Sequence, residues 1–140
     1  MKTRQDVVVE ARRWLGTPFQ HQGRAMGVGV DCAGVVVQVG KALGLTGFDT
    51  TDYGRLPHSG KFMRVVQQEL DQWFGEPEPG LLGVFRWRTE PQHIGVFAEI
   101  NGRITLIHAW EKMGRCVEAS FDSAWRGRLV SVWKFRGMGD

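Results

Sequence analysis

"HIGVFAEINGRITLIHAW", residues 93–110, reads as two strands joined by a two-residue turn. Residues 93–100 and 103–110 are rich in β-branched side chains. Asn101-Gly102 between them is a dipeptide that favours a type I′ hairpin, because both central residues must take positive φ. Such a turn fixes the pairing. With Ile100 opposite Arg103, facing residues have numbers summing to 203, so Gly95 faces His108 and His93 faces Trp110. His93 and His108 then lie diagonally on one face, with Cβ atoms expected within about 7–8 Å. Two of the four histidines are thereby paired. A lone histidine in an apolar strand is ordinarily a packing or surface residue; two on one face with glycine between them are a candidate site.

Three further stretches downstream of residue 80 are strand-like: "VFRW" (84–87), "CVEASF" (116–121) and "RLVSVWKF" (128–135). With the hairpin they make five, separated by short turns that suit a meander or small barrel-like sheet. Upstream the period changes. Thr3 can cap a first helix, Asp6 sits at the reciprocal capping-box position, and Val7, Val8, Ala11, Trp14 and Leu15 form its apolar stripe before Gly16-Thr17-Pro18. Residues 19–30 read as a glycine-rich loop. Asp31 is the N-cap of a second helix with Val35, Val36, Val39, Ala42 and Leu43 on its apolar face, ending at Gly44. A third helix, capped by Ser59, carries Phe62, Val65, Val66, Leu70 and Trp73 up to Gly75. "GEPEPG" (75–80) then breaks the chain. Helices first and strands second predict an α+β domain spanning residues 1–140, with N-terminal helices packed on a C-terminal antiparallel sheet of about five strands.

Composition narrows the function. The net charge of +3 arises largely from thirteen arginines, but Arg24, Arg55, Arg64, Arg103 and Arg136 are scattered along the chain. Nucleic-acid binding would need them gathered on one surface, so no nucleic-acid partner is expected. Attraction to an acidic polymer such as a bacterial wall suits the same charge. No 18-residue apolar run exists to span a membrane. "MKTRQDVVVEARRW" returns to charge at Glu10, too early for a signal peptide, so synthesis in the cytoplasm without the usual export route is expected. The two cysteines, Cys32 and Cys116, form neither a disulfide scaffold nor a Cys-x-x-Cys zinc motif. No metal or other cofactor is expected, since Cys32, His93 and His108 lack zinc-motif spacing.

Cys32 follows Asp31 as first residue of the second helix. A free cysteine is ordinarily a small buried hydrophobe. Here the unpaired N–H groups and dipole of a helix start are expected to stabilise a thiolate and lower its pKa. The same groups can receive the oxyanion of acyl transfer. Gly34 permits close backbone approach, and the poor helix formers around Cys32 make the local conflict expected at functional sites. A thiol at a helix start with a histidine on a sheet is the arrangement for nucleophilic catalysis, the second histidine orienting the first. Cys116, alternating within its strand, reads as structural. His21 lies in the loop leading to Cys32, placed to line a cleft, and His58 beside Pro57 and Ser59 reads as a surface residue.

These residues resemble the NlpC-type cell-wall cysteine peptidases, whose fold is a compact version of papain's. "WLGTPFQHQG" (14–23) is similar to the family's Leu-Gly-Thr-Pro-Tyr segment, and "DCAG" (31–34) to its Asp-Cys-Ser-Gly nucleophile motif. "HIGV" (93–96) is similar to its His-hydrophobe-Gly motif, and "LIHA" (106–109) to the strand bearing the third polar residue. The resemblance implies Cys32 as nucleophile, His93 as general base and then acid, and His108 as the residue holding the imidazole. It also implies that Phe19, His21, Asp31 and Ala33 line the substrate site. The implied substrate is an amide in the peptidoglycan stem peptide, typically between D-glutamate and a diamino acid. The ending "IHAWEKMGRCVEASFDSAWRGRLVSVWKF" resembles a branch of phage and prophage tail-associated peptidases, which implies tail proteins as partners and delivery with a phage tail. Three positions depart from the pattern: Phe19 for tyrosine, Ala33 for serine, and "PGLLGVFRW" without the usual Gly-Asp. A structural or wall-binding tail module of the same fold is the alternative reading, and an acyltransferase or amidase would use the same triad.

Overall fold

The computed structural model describes residues 1–45, 49, 61–87 and 90–139. His58 and Ser59 lie outside the described residues. Helix α1 (Arg4–Arg12) opens with the expected capping box: Thr3 Oγ1 accepts from the Asp6 N–H, and the Asp6 carboxylate accepts from the Thr3 N–H at 2.8 Å. Val7, Val8, Ala11 and Trp14 are buried, whereas Leu15 is exposed because the helix ends at Arg12 and the chain turns through Gly16 at φ 86°. Two short strands, β1 (Arg24–Ala25) and β2 (Gly29–Val30), pair within the glycine-rich loop. Helix α2 (Cys32–Ala42) follows Asp31 and buries Val35, Val36 and Val39.

The third helix is shorter than the apolar period suggests. Helix α3 covers Lys61–Glu69, and Leu70–Trp73 is a strand, β3. Leu70 packs in the helix-facing core and Trp73 on the opposite side of the sheet, a separation that strand alternation gives and a helical stripe does not. Arg136 fixes the strand, its Nε donating to Asp71 Oδ1 at 3.0 Å and its Nη2 to the Leu70 carbonyl at 3.3 Å.

The remaining strands are β4 (Leu82–Trp87), β5 (Glu90–Ile100), β6 (Arg103–Trp110), β7 (Arg115–Ser120) and β8 (Leu129–Phe135), with a four-residue helix α4 (Ser123–Arg126) before the last. They form one antiparallel sheet with β3, in the order β3-β8-β4-β5-β6-β7. Strands β4 to β7 are the expected meander. The last strand crosses back to insert between β3 and β4, and it is β3 that makes the sheet six strands rather than about five.

Asn101 and Gly102 take φ of 53° and 77°, the mirror-image turn the dipeptide favours. Pairs run from Ile100 with Arg103 to Val96 with Ile107, each summing to 203. The pleat then divides β5 between two cores. Ile94, Val96 and Ala98 face α1 and α2, while Phe97 packs with Leu81, Phe85, Leu106, Phe121 and Val132 on the other side.

Helix α1 is stapled to the sheet by one charged side chain. Arg12 donates to both Glu118 carboxylate oxygens (3.0 and 2.9 Å) and to the Glu99 carbonyl (2.9 Å), and Thr105 Oγ1 donates to Glu118 at 2.6 Å. Burial opposes ionisation of Glu118, but hydrogen bonds from Arg12 and Thr105 hold its carboxyl below the ordinary value of 4.5. Glu118→Ala should cost about 1–2 kcal/mol in denaturant unfolding, the lower range because Arg12 remains partly solvated. A folded-state pKa below the unfolded one gives stability that is present above the unfolded value and lost as pH falls through the folded one. The wild-type excess over Glu118→Ala should therefore be full at neutral pH and shrink below about pH 4.5. An excess that stays constant into acid would contradict it.

Candidate active site

The approach to the thiol is built by hydrogen bonds and glycines. Segment 16–19 runs beside the start of β7: the Gly16 N–H donates to the Cys116 carbonyl, the Cys116 N–H to the Thr17 carbonyl, and the Phe19 N–H to the Gly114 carbonyl. Thr17 is buried and its Oγ1 accepts from the Gly27 N–H at 3.0 Å. The half-buried Phe19 packs against the helix-facing core, as does Cys32. With a ring and no hydroxyl, the Phe19 side chain supplies no hydrogen bond there.

Asp31 is the organising residue. Its buried carboxylate caps α2 by accepting from the Gly34 N–H (2.8 Å), and also accepts from Arg24 Nη1 (3.0 Å) and the Gln22 N–H (2.7 Å). His21 Nδ1 stands 4.0 Å from the same group. One carboxylate thus starts the helix and closes the loop before it. Gly34 is required by that closure. A Cβ there would lie 2.5 Å from the Gly23 carbonyl oxygen and 2.7 Å from Val30 Cγ2.

Cys32 is half-buried, with Sγ 3.9 Å from the Gln92 carbonyl oxygen. The expected lowering of its pKa is not found. Burial pushes the thiol up to about 12, and the adjacent Asp31 carboxylate adds to this. Backbone hydrogen bonds from Ile94 and Ala33 and the charge of Arg24 pull the other way without prevailing. Helix-terminal donors are outweighed by desolvation and a neighbouring negative charge. Cys116 is buried with its pKa also pushed up to about 12 by burial, as suits a structural thiol.

His93 and His108 do meet. His93 Nε2 and His108 Nδ1 are 2.7 Å apart, with ring centroids 4.9 Å apart at an interplanar angle of 74°. Both are buried. Burial drives the pKa of His93 well below the ordinary 6.5, with the His108 charge acting in the same direction, and burial lowers that of His108 to about 4. The pair is neutral at physiological pH. One ring donates and the other accepts across the 2.7 Å bond. The thiol rests against the strand backbone on either side of His93, at Gln92 and Ile94, and hydrogen-bonds to neither imidazole. Cys32, Asp31, Ala33 and His21 are therefore gathered at the helix start, and the two histidines at the hairpin.

Trp125, on α4, is the residue that sequence reasoning missed. It stands 5.5 Å from the His93 ring and 4.8 Å from the His108 ring, with Phe85 and Trp110 completing the enclosure. Its signal is faint: Asp122 three residues earlier accepts from the Trp125 N–H at 3.0 Å, an Asx cap on a single helical turn. Among the described residues no three His, Cys, Asp or Glu side chains converge as a metal site needs.

Solved structures match this fold over nearly the whole chain. An NlpC/p60 domain of the peptidoglycan hydrolase SagA superposes on 94% of the chain and 98% of its own length, with a TM-score of 0.62 and 18% identity. The chain has the NlpC/P60 fold. An NlpC/P60 family protein from Bacillus cereus gives a TM-score of 0.70 at 14% identity over 95% of the chain. A lipoprotein-like NLP/P60 family protein from Staphylococcus aureus gives 0.65 at 17% over 98%. The chain spans 40% of the length of the first of these and 42% of the second. No family model matches the sequence, and no curated protein does.

Gly95 decides whether the NlpC/P60 hairpin can hold its histidines. A Cβ at this position would sit 2.6 Å from Leu106 Cδ1, 3.0 Å from the Ile107 carbonyl oxygen and 3.1 Å from His108 Cβ. The leucine can move; the backbone oxygen cannot without parting β5 from β6. Gly95→Ala should destabilise by about 1–3 kcal/mol and disturb both imidazole NMR signals. An unchanged denaturation midpoint would show that the hairpin has slack at this point.

Proposed function

We propose that the protein is a thiol hydrolase that cleaves amide bonds in peptidoglycan stem peptides. The observation that carries the reading is the 2.7 Å bond between two buried imidazoles, on the strand against which the Cys32 thiol rests. The fold it shares with the peptidoglycan hydrolase SagA supports the substrate class. The imidazole pair supports base catalysis by a neutral ring.

In the proposed reaction His93 carries its proton on Nε2 and donates it in a hydrogen bond to His108 Nδ1. The Nδ1 lone pair of His93 then takes the proton of the Cys32 thiol as Sγ attacks the amide carbonyl carbon. The oxyanion is received by the Cys32 backbone N–H at the start of α2. The imidazolium of His93 returns the proton to the leaving nitrogen as the C–N bond breaks, leaving a thioester. Water, deprotonated by His93, attacks the thioester, and the carboxylic acid and thiol are released. In the resting structure the His93 ring packs with Phe85 and Trp125 on the face of β5 opposite the helices, and Cys32 packs against the helix-facing core, so the proposed transfer requires the ring to turn toward Sγ when substrate binds. The finer reading is a bond between D-glutamate and a diamino acid, cleaved by a phage or prophage tail component.

The second reading, a wall-binding or assembly module, draws on the unactivated resting thiol and on Phe19 in place of tyrosine. Muropeptide digests analysed by mass spectrometry separate the two. Wild type should release new fragments, with Cys32→Ala reducing the rate by at least ~10³-fold and His108→Ala by about 10²-fold or more. Equal digestion by Cys32→Ala would sink the thiol mechanism. Wall binding without fragments from the wild type would favour the module.

A further inference from the structure

We infer that Trp125 is a positioning residue: it seals the His93–His108 hydrogen bond from water and so keeps both rings neutral with His93 as the donor. The inference deepens the hydrolase reading and rests on it for its kinetic part alone. Its indole lies over His93 at an interplanar angle of 31° and meets His108 edge-on at 84°. It is itself held between Trp110 at 5.0 Å and Phe85 at 5.4 Å. A single side chain thus touches both partners of the bond, and it projects from the surface turn α4 rather than from the sheet.

Among the described residues the charged groups around the pair are engaged with other partners. On β4, Arg86 Nη2 donates to the Gly127 carbonyl. On α4, Arg126 stacks on Phe121 at 4.6 Å and approaches Glu76 at 3.8 Å. Lys112, after β6, lies over Trp110 at 5.7 Å. On β7, Val117 is opposite His108, Glu118 is held by Arg12 and Thr105, and Arg115 is exposed at the strand's start. From α2 the nearby titratable groups are the Cys32 thiol, uncharged at rest, and Asp31, whose carboxylate is taken up by Gly34, Arg24 and Gln22. Within the pair the charges oppose each other, since a proton on one imidazole disfavours a proton on its partner. Desolvation sets the protonation of the pair, and Trp125 is a part of the desolvating wall that meets both rings.

The mechanism needs that wall. A protonated His108 would have a hydrogen on Nδ1 and would donate to His93 Nε2 instead of accepting from it. His93 would then carry its own proton on Nδ1, the nitrogen that must receive the thiol proton. Opening the pair to water favours this idle state as pH falls.

The test is nitrogen-15 NMR of the histidine rings in the full chain, with the pH profile of muropeptide cleavage read alongside. In wild type both rings should stay neutral down to about pH 5, with His93 in the Nε2–H form. Trp125→Ala should raise the His108 midpoint from about 4 toward the ordinary 6.5. The acidic limb of the rate profile should follow by about one pH unit or more. Trp125→Phe, which restores an aromatic wall, should keep most of the wild-type behaviour. Asp122→Ala, which releases the cap of α4, should move the midpoint in the direction of Trp125→Ala. If Trp125→Ala does not fold, Trp125→Phe and Asp122→Ala carry the test. Midpoints unchanged in a folded Trp125→Ala, or in Asp122→Ala if that variant alone is available, would overturn the inference. Ring titrations as expected in a protein whose Cys32→Ala variant still cleaves would refute the thiol mechanism and leave the role of Trp125 standing.

Discussion

Two backbone dihedrals at the tip of one hairpin govern where the histidines lie. Asn101 and Gly102 both take positive φ, and with that turn β5 and β6 can pair only in the register that sums to 203. A slip of one residue would turn His93 toward the helices and bring Ile94 to the other face, exchanging both cores at once. The register therefore couples the site to the burial of Val96, Phe97, Leu106 and Ile107. Apolar burial at roughly 25 cal/mol per Å² makes such a slip prohibitive, so the imidazole pair inherits its precision from packing that has no part in chemistry. Gly95 is the steric counterpart of the turn, leaving the space that Leu106 and His108 fill.

Asp31 plays the corresponding role on the helical side. Its carboxylate satisfies the Gly34 N–H at the start of α2 while Arg24 and Gln22 fasten the preceding loop to it. The arrangement explains the glycines around it. Gly23 and Gly34 bring two backbones so close that a Cβ at either would meet main-chain atoms at 2.5–2.6 Å. The small, poorly helical run after Asp31 thus answers to the loop as much as to the thiol.

The features legible in the sequence are those set by short-range rules. Thr3 with Asp6, Asp31 before α2 and Asn101-Gly102 each declare a local geometry within four residues, and alternation along 103–110 gave the bounds of β6 without error. Features set by distant contacts were hidden. Leu70 and Trp73 continue a helical spacing, and only pairing with β8, some sixty residues away, makes that segment a strand. The insertion of β8 between β3 and β4 leaves no trace in local pattern, because crossover order depends on which edge remains open when the last strand arrives. Trp125 was hidden for the same reason: its partners at 85, 93, 108 and 110 come from three other strands. The thiol pKa was misjudged because burial, unlike the position of a helix start, cannot be read from sequence.

That misjudgement bears on the proposed reaction. A thiol pushed up by burial and two neutral imidazoles form no resting ion pair, because neither charge would be solvated well enough to separate. Asp31 sharpens the conflict, since the carboxylate that builds the helix start also disfavours a thiolate one residue away. In the proposed reaction proton transfer would then accompany attack on the carbonyl, so that negative charge passes from sulfur to the oxyanion as it forms, at the helix N–H groups. A neutral thiol of this kind is sheltered from stray alkylation and oxidation, which act on thiolates. Its activation is tied to a substrate that brings the acceptor carbon within reach. In the proposed hydrolase, burial and Asp31 would make the resting thiol inert, and the paired imidazoles beneath Trp125 would release it only when there is a bond to cleave.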